Sequence, residues 1–180
     1  MDEELQIVRY DPTWPAAFAA EATRIREALG SLAVRIDHNG STSVPGLAAK
    51  PIIDIQVSVN NLGRIEAYRK PLQAIGYFHV AHPDDSFSPF FHRPFDWPHT
   101  HHVHVVAAGG AEERRTLAFR DYLRDHAEAA RQYAQLKRNL ATRLAPRDHE
   151  SREAYAREKR DFIERTIATA LSNGYPKESR

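Results

Sequence analysis

Cysteine is absent from this chain of 180 residues. A disulfide framework, a thiolate zinc site and a cysteine nucleophile are therefore excluded. Glycine and proline are modest, at 8 and 11 residues, and 42% of the residues are hydrophobic, which favours a folded domain over disorder. No apolar stretch approaches the roughly 20 residues that span a bilayer. The first residues are acidic and contain no apolar signal-peptide core, so we expect a cytoplasmic protein without a membrane partner.

Motifs of several enzyme classes are missing as well. The sequence has no Gly-x-Ser-x-Gly nucleophile turn, no Walker-type Gly-Lys-Ser/Thr and no Gly-x-Gly-x-x-Gly dinucleotide fingerprint. Charge is unevenly placed: residues 1–110 carry 9 Lys and Arg against 12 Asp and Glu, whereas residues 111–180 carry 16 against 12. A basic helical half is usually solvated surface, but the same charge also suits an anionic substrate. Because the basic residues are interleaved with acids, specific nucleic-acid binding is not expected.

Hydrophobic periodicity predicts an α/β fold, with a mixed sheet flanked by helices and a helical C-terminal segment. Alternation and β-branched runs predict strands at 32–36, 51–59, 77–80 and 101–106. Helical spacing predicts helices at 12–29, 62–75, 111–125, 127–144 and 151–172, with Pro146 breaking the last pair. The polar, aromatic and Pro-rich stretch 81–97 is expected to be a long loop or hairpin.

The most informative segment reads GSTSVPGLAAKPIID from Gly40 to Asp54. Backbone N–H groups of a Gly/Ser turn at a helix start can donate to phosphate oxygens without steric obstruction. An aspartate on the following strand offers the hard oxygen ligand that Mg²⁺ prefers. The segment therefore predicts a phosphate-handling site, in which Gly40, Ser41, Thr42 and Ser43 contact the phosphates.

This segment also carries a family resemblance. The string HNGSTSVPGL, which begins at His38, and the following KPIIDI, which begins at Lys50, resemble the signature of the GrpB family. Downstream blocks match the same pattern: His101–Val105, Phe119–Arg124, Tyr133 with Leu136-Lys137, and Tyr155 with Lys159. The resemblance implies a single domain over 1–180, with a nucleotidyltransferase-like α/β core at 1–110 and a helical part at 111–180. It also implies an activity related to nucleotidyl transfer, although members of the family are largely uncharacterised.

One departure from the superfamily pattern is important. Working nucleotidyltransferases carry two acids on the strand after the Gly-Ser turn and a third acid on a later strand, and these bind two Mg²⁺ ions. Here the first acid is Asp54, but Gln56 replaces the second, and His102 or His104 stands where the third is expected.

Three hypotheses remain open for these histidines. In the first, Asp54, His102 and His104 bind a single divalent ion (Mn²⁺, Zn²⁺ or Mg²⁺), because an i, i+2 pair on one strand face is a plausible chelate. In the second, the histidines form hydrogen bonds in an anion pocket without a metal. In the third, they lie on a solvent-facing edge strand and have no role in a site. His101 is expected to point to the opposite face.

A basic and aromatic wall is predicted on the C-terminal helices, facing the Gly40 turn. With Lys50, which precedes the strand of Asp54, its members are Arg120, Arg124, Tyr133, Lys137, Tyr155 and Lys159. The leading hypothesis is metal-dependent transfer of a nucleotidyl group from a nucleoside triphosphate to a small-molecule acceptor, with Asp54 and His104 as catalytic residues. The alternatives are an inactive nucleotide- or anion-binding module and a metal-dependent hydrolase that uses the histidine strand.

Overall fold

The computed structural model describes residues 5–146 and 148–177. The acidic residues 1–4, on which the expectation of no signal peptide partly rests, lie outside the described part. Five strands are present there: β1 Arg35–Asn39, β2 Ile53–Val59, β3 Phe78–Val80, β4 Phe90–Arg93 and β5 His101–Ala107. The α-helices of the same part are α1 Trp14–Leu29, α2 Ile65–Ala74, α3 Ala111–Asp125, α4 Ala127–Leu144, α5 His149–Glu158 and α6 Arg160–Ser172.

The strands form one mixed sheet in the order β1-β2-β5-β4-β3. Strands β2 and β5 are parallel, and every other neighbouring pair is antiparallel. The parallel pair requires a crossover connection, which here contains α2, β3 and β4. The α/β class, the mixed sheet and the helical C-terminal segment are therefore confirmed.

One face of the sheet is apolar and packs against α1 and α2. The side chains at the centre of this face have no exposed surface: Ile55, Val57, Phe91, Val103 and Val105. The same core contains buried residues of both helices, among them Ile25 and Leu72. Since alternate residues of a strand point to opposite faces, the residues between them face α3 and the C-terminal helices.

Two element predictions are corrected and one is made more specific. The first strand begins at Arg35 rather than residue 32, because a 3-10 turn at Gly30–Leu32 follows α1. The stretch 81–97, predicted to be a long loop or hairpin, contains a short 3-10 helix, Pro83–Ser86, and strand β4, which pairs with β3 as a hairpin. The expected single helix at 151–172 is two helices, with the break at Lys159.

The helix boundary near Pro146 is confirmed. Helix α4 ends at Leu144, and Ala145 adopts a left-handed conformation with φ of 39°. The next helix is capped by Asp148, whose carboxylate accepts a hydrogen bond from the Ser151 N–H at 2.8 Å. No helix in the described part of the chain is long and apolar enough to cross a bilayer.

Candidate functional site

The Gly40 turn is built against the carboxylate of Asp54. Gly40 has φ of 63°, and Ser41–Ser43 form a 3-10 turn closed by a hydrogen bond from the Ser43 hydroxyl to the Gly40 carbonyl at 2.6 Å. A Cβ atom at Gly40 would lie 2.7 Å from the Asp54 Cγ atom, which is closer than packed atoms approach. Only glycine fits both the backbone angle and this contact. The turn and the strand carboxylate are thus one unit.

Two of the three hydroxyl residues of this turn are buried by their own contacts. Thr42 is 1% exposed, and its hydroxyl lies 3.0 Å from Nε2 of His38, whose ring stacks on Phe18. Ser43 is 5% exposed and uses its hydroxyl on the Gly40 carbonyl. Ser41 is more accessible and faces helix α4. Of the three, the structure leaves Ser41 best placed for a ligand.

Asp54 is the first member of a series of side chains that contact one another. Its Oδ1 atom lies 3.3 Å from Nδ1 of His102, and Nε2 of His102 lies 3.0 Å from Nδ1 of His99. The His99 ring in turn stacks on His92, with the ring centroids 4.0 Å apart. The sequence hypothesis of an Asp54–His102 contact is therefore met by the geometry. His92 and His99 were missed as members, and only the density of histidine in this region hinted at them.

The electrostatics keep Asp54 charged and the histidines neutral. Burial raises the pKa of the Asp54 carboxyl, but the hydrogen bond with His102 and the charge of Lys50 outweigh it and bring that pKa to about 2. Burial lowers the pKa of His102 to about 4, against the opposing effect of Asp54. Burial also lowers the pKa of His104. At neutral pH the site therefore holds one carboxylate beside uncharged imidazoles.

The expected metal donors do not fit. Across residues 5–146 and 148–177, no three His, Cys, Asp or Glu side chains form a group that could hold a metal ion. Both ring nitrogens of His102 already have partners. Gln56 is 0% exposed, and its amide oxygen accepts hydrogen bonds from Thr116 at 2.5 Å and Asn39 at 3.3 Å. The second donor position of a two-metal site is thus a neutral amide committed to protein contacts.

The helical wall does face the Gly40 turn, as the sequence predicted. Lys137 is 2% exposed and donates from Nζ to the Ser41 hydroxyl at 2.9 Å and to the Ala48 carbonyl. The Lys137 ammonium also lies 4.6 Å from the centroid of the Tyr133 ring. The Tyr133 hydroxyl shares a hydrogen bond with Ser41, and burial raises its pKa. These contacts join α4 directly to the turn.

Lys159 repeats this arrangement at the break between α5 and α6. Its Nζ atom lies 4.4 Å from the centroid of the Tyr155 ring. Tyr155 is 1% exposed, and its hydroxyl has no hydrogen-bond partner. A buried hydroxyl without a partner costs free energy, so it is a candidate for a contact with a ligand.

Three lysines interact electrostatically with one another and with Asp54. We call Lys50, Lys137 and Lys159 the lysine cluster. Burial lowers the pKa of Lys137 to about 7, and the positive charge of Lys50 adds to that effect. Burial lowers the pKa of Lys159 to about 7 as well, with further repulsion from Lys50 and Lys137. Burial also lowers the pKa of Lys50. The three ammonium groups of the lysine cluster therefore lie close enough to repel one another beside the Asp54 carboxylate.

The two predicted arginines have a different role from the one expected. Arg124 donates from Nε and Nη2 to the Ser43 carbonyl at 3.0 and 2.8 Å. Arg120 is 8% exposed, donates to the His38 carbonyl at 3.2 Å, and pairs with Asp121 at 2.7 Å. Since these donors are used by the protein, both arginines hold the Gly40 turn from behind, a positioning role that the sequence did not predict. Contact of the two arginines with phosphate stays a prediction.

Solved structures give two informative matches. The crystal structure of the conserved protein GrpB from Enterococcus faecalis is 32% identical, with a TM-score of 0.82 over 93% of this chain and 98% of that one. A structure of the Cid1 poly(U) polymerase, described as Mg 3'-dATP bound, is 16% identical, with a TM-score of 0.51 over 76% of this chain and 44% of that one. The second match shows a nucleotidyltransferase-like fold and nothing more.

Sequence relatives point to the same family. The UPF0157 protein PA4798 of Pseudomonas aeruginosa is 41% identical over 174 residues, which are 95% of this chain and 69% of that protein. The family model described as GrpB protein matches residues 4–169. On this match and these relatives, the chain belongs to the GrpB family.

Proposed function

We propose that the chain binds a nucleotide through its phosphates, in the cleft between the Gly40 turn and the lysine cluster. The observation that carries the proposal is the crowding of Lys50, Lys137 and Lys159 around a single carboxylate. Like charges that lie close together in a partly buried site repel one another, and an anion placed among them relieves that repulsion. A polyphosphate supplies several negative charges within the span of such a site.

The aromatic partners of the lysines support this assignment. Tyr133 and Tyr155 place their rings against the ammonium groups and restrict them to one side of the cleft. The Ser41 hydroxyl and the unpartnered Tyr155 hydroxyl add neutral hydrogen-bonding groups. A phosphate group accepts both kinds of contact, which is why charged and neutral donors often occur together at phosphate sites.

The binding experiment compares two substitutions of equal charge change. Lys159→Gln removes one ammonium from the cluster, whereas Lys70→Gln removes an exposed one on α2, which packs against the opposite face of the sheet. Calorimetric titration with ATP, CTP and tripolyphosphate should show binding to the parent and to Lys70→Gln, and at least about 10-fold weaker binding to Lys159→Gln. Equal affinities for the two variants would contradict the proposal.

Nucleotidyl transfer is a second candidate, favoured by the pairing of Asp54 with His102 beside the lysine cluster. In that reaction an acceptor hydroxyl oxygen bonds to the α-phosphorus, the bond to the β-phosphate bridge breaks, and pyrophosphate leaves. The hydroxyl proton passes to Nε2 of His102, whose Nδ1 atom contacts Asp54, and the acceptor hydroxyl takes the place that His99 has at Nε2. In this scheme His102 has the role of base that the sequence hypothesis gave to His104. The lysines neutralise charge on the phosphates. No step is assigned to a metal ion, because the donor set does not fit one.

Transfer is separable from binding by measurement. Pyrophosphate release from nucleoside triphosphates, in the presence of a mixed set of small hydroxyl and amino acceptors, reports the reaction. We expect Asp54→Asn and His102→Gln to abolish release, whereas nucleotide affinity changes little in His102→Gln and is not weakened in Asp54→Asn. A parent that binds nucleotides but releases no pyrophosphate with any acceptor supports the binding module alone.

A further inference from the structure

The face of the sheet that carries Asp54 changes in character from one edge to the other. The registers of the four strand pairs place one residue of every strand in a transverse row: Asn39, Asp54, His102, His92 and Phe78. The next row along the strands is Asp37, Gln56, His104, Phe90 and Val80. Both rows run from polar or acidic residues on β1 and β2, through imidazoles, to apolar residues on β3.

The β3 end of these rows is partly open to solvent. Phe78 is 38% exposed, and Phe95, in the loop between β4 and β5, is 66% exposed. Their rings meet edge to face, with centroids 5.1 Å apart. His92 lies between them, with ring centroids 6.2 Å from Phe78 and 6.5 Å from Phe95. Phe90, His99 and these three residues form what we call the aromatic surface.

His99 in the aromatic surface is uncharged at neutral pH. Burial lowers the pKa of His99 to about 3, and the nearby His92 and His102 add to that effect. The neutral His99 ring has one donor and one acceptor nitrogen, of which Nδ1 contacts His102, so it can bind a planar ligand by its edge as well as by its face. This character contrasts with the lysine cluster, which is cationic.

The aromatic surface and the lysine cluster adjoin. The charges of Lys50 and Arg152 both act on His99. The Arg152 guanidinium lies 4.4 Å from the centroid of the Trp97 ring, and that ring lies 5.2 Å from His99. A ligand that extends from the lysines along the sheet therefore passes from a cationic region to an aromatic one.

We propose that the aromatic surface binds the base of the nucleotide whose phosphates occupy the lysine cluster. The inference rests on the proposed function, since it places the second half of the same ligand. Planar bases stack on aromatic side chains of an open sheet face, and nearly all of that contact is independent of base identity. His99, which stacks on His92 beside the phenylalanines, supplies a hydrogen bond to the base edge.

The test separates the base from the phosphates. Phe95→Ala removes the most exposed ring, and Phe78→Ala/Phe95→Ala removes the two most exposed phenylalanines of the surface. The matched control is Val34→Ala, a residue 50% exposed that directly precedes β1, at the end of the strand away from Asn39. Affinities for ATP, CTP and tripolyphosphate are measured by calorimetry. Phe95→Ala leaves the fold intact because its ring is mostly in solvent, and circular dichroism checks the double variant.

We expect ATP and CTP to bind the double variant at least about 5-fold more weakly, the lower end of what losing a stacking aromatic costs. Tripolyphosphate affinity and the Val34→Ala control should be unchanged. If the parent binds ATP no more tightly than tripolyphosphate, or if both Phe variants keep full ATP affinity, the base lies elsewhere and the inference is overturned while the proposed function stands. If the parent binds none of the three probes, the proposed function itself fails.

Discussion

The two faces of the sheet are similarly buried at their centre but chemically opposite. On one face Ile55, Val57 and Val105 have no exposed surface and pack against α1 and α2. On the other face Gln56 and Ser58 are also 0% exposed, although both are polar. Their Nε2 and Oγ atoms have no hydrogen-bond partner. Burial of an unpaired polar group costs about 1–3 kcal/mol, so the second face is less stable than an apolar one would be.

The comparison of the two faces shows which side chains stabilise the sheet and which destabilise it. The apolar face holds the sheet together through hydrophobic burial. The polar face carries Asp54, His102 and their neighbours at the expense of uncompensated polar atoms. Residues retained against a stability cost are typical of a working site, which agrees with the proposed nucleotide site on that face.

The largest effect is expected when a side chain of the apolar face is shortened. Ile55→Ala leaves a cavity in the core, and we expect the free energy of unfolding to fall by about 2–5 kcal/mol in urea titrations. Nucleotide affinity, measured below the unfolding transition, should be unchanged because Ile55 points away from Asp54. A large loss of affinity in folded protein would show that the two faces are not separable.

Next in size is a new charge on the polar face. Gln56→Asp places a carboxylate in a fully buried position, in register with Asp37 of β1 and two residues from Asp54. We expect a loss of about 3 kcal/mol in the free energy of unfolding. The control is Gln56→Leu, which removes the unpaired amide nitrogen together with the oxygen that Thr116 and Asn39 use. We expect it to lose about 1 kcal/mol, less than Gln56→Asp. Equal stability of Gln56→Asp and the parent would show that the position accommodates charge, as in a two-metal site.

A smaller effect is expected where the turn meets the carboxylate. Gly40→Ala adds a Cβ atom against Asp54 at a backbone angle that alanine adopts with strain, and we expect a loss of about 2 kcal/mol. Gly46→Ala is the matched control, since its φ is 77° but nothing lies within 4 Å of the added atom. Gly46→Ala should lose less stability and keep full ATP affinity. If both variants lost the same stability, the effect of Gly40→Ala would be due to the backbone angle alone and not to the contact with Asp54.

The smallest effect is the pH dependence of the lysine cluster. The pKa of Lys137 falls from 10.5 to about 7 on folding, so the unfolded chain binds more protons between those values. The contribution of Lys137 to stability therefore rises with pH in that window. From pH 7 to 8 we expect the parent to gain about 1 kcal/mol relative to Lys137→Met, measured by urea unfolding. Parallel pH profiles would mean that Lys137 titrates normally. ATP affinity should fall over the same range as the ammonium loses its proton.

The helices and central strands were predictable because their residues repeat with a clear period. Helices 111–125 and 127–144 match the sequence prediction, and His102 and His104 share a face as the alternation required. The position of strand β4 was not predictable, because Phe90–Arg93 is a short segment within a Pro-rich stretch and its pairing with β5 is a tertiary contact. The break at Lys159 was missed because no Gly or Pro marks it.

The sequence by itself determined the α/β class, the family resemblance, the Gly40 turn before Asp54 and the lack of a second carboxylate at position 56, since these depend on local pattern and residue identity. The tertiary structure alone decided which side chains meet. It assigned Arg120 and Arg124 to the backbone of the turn, gathered three lysines around Asp54, and joined His92 and His99 to His102. The physical reason is that strand register and helix packing fix distances between residues far apart in the chain, and those distances set the charges and contacts of the site.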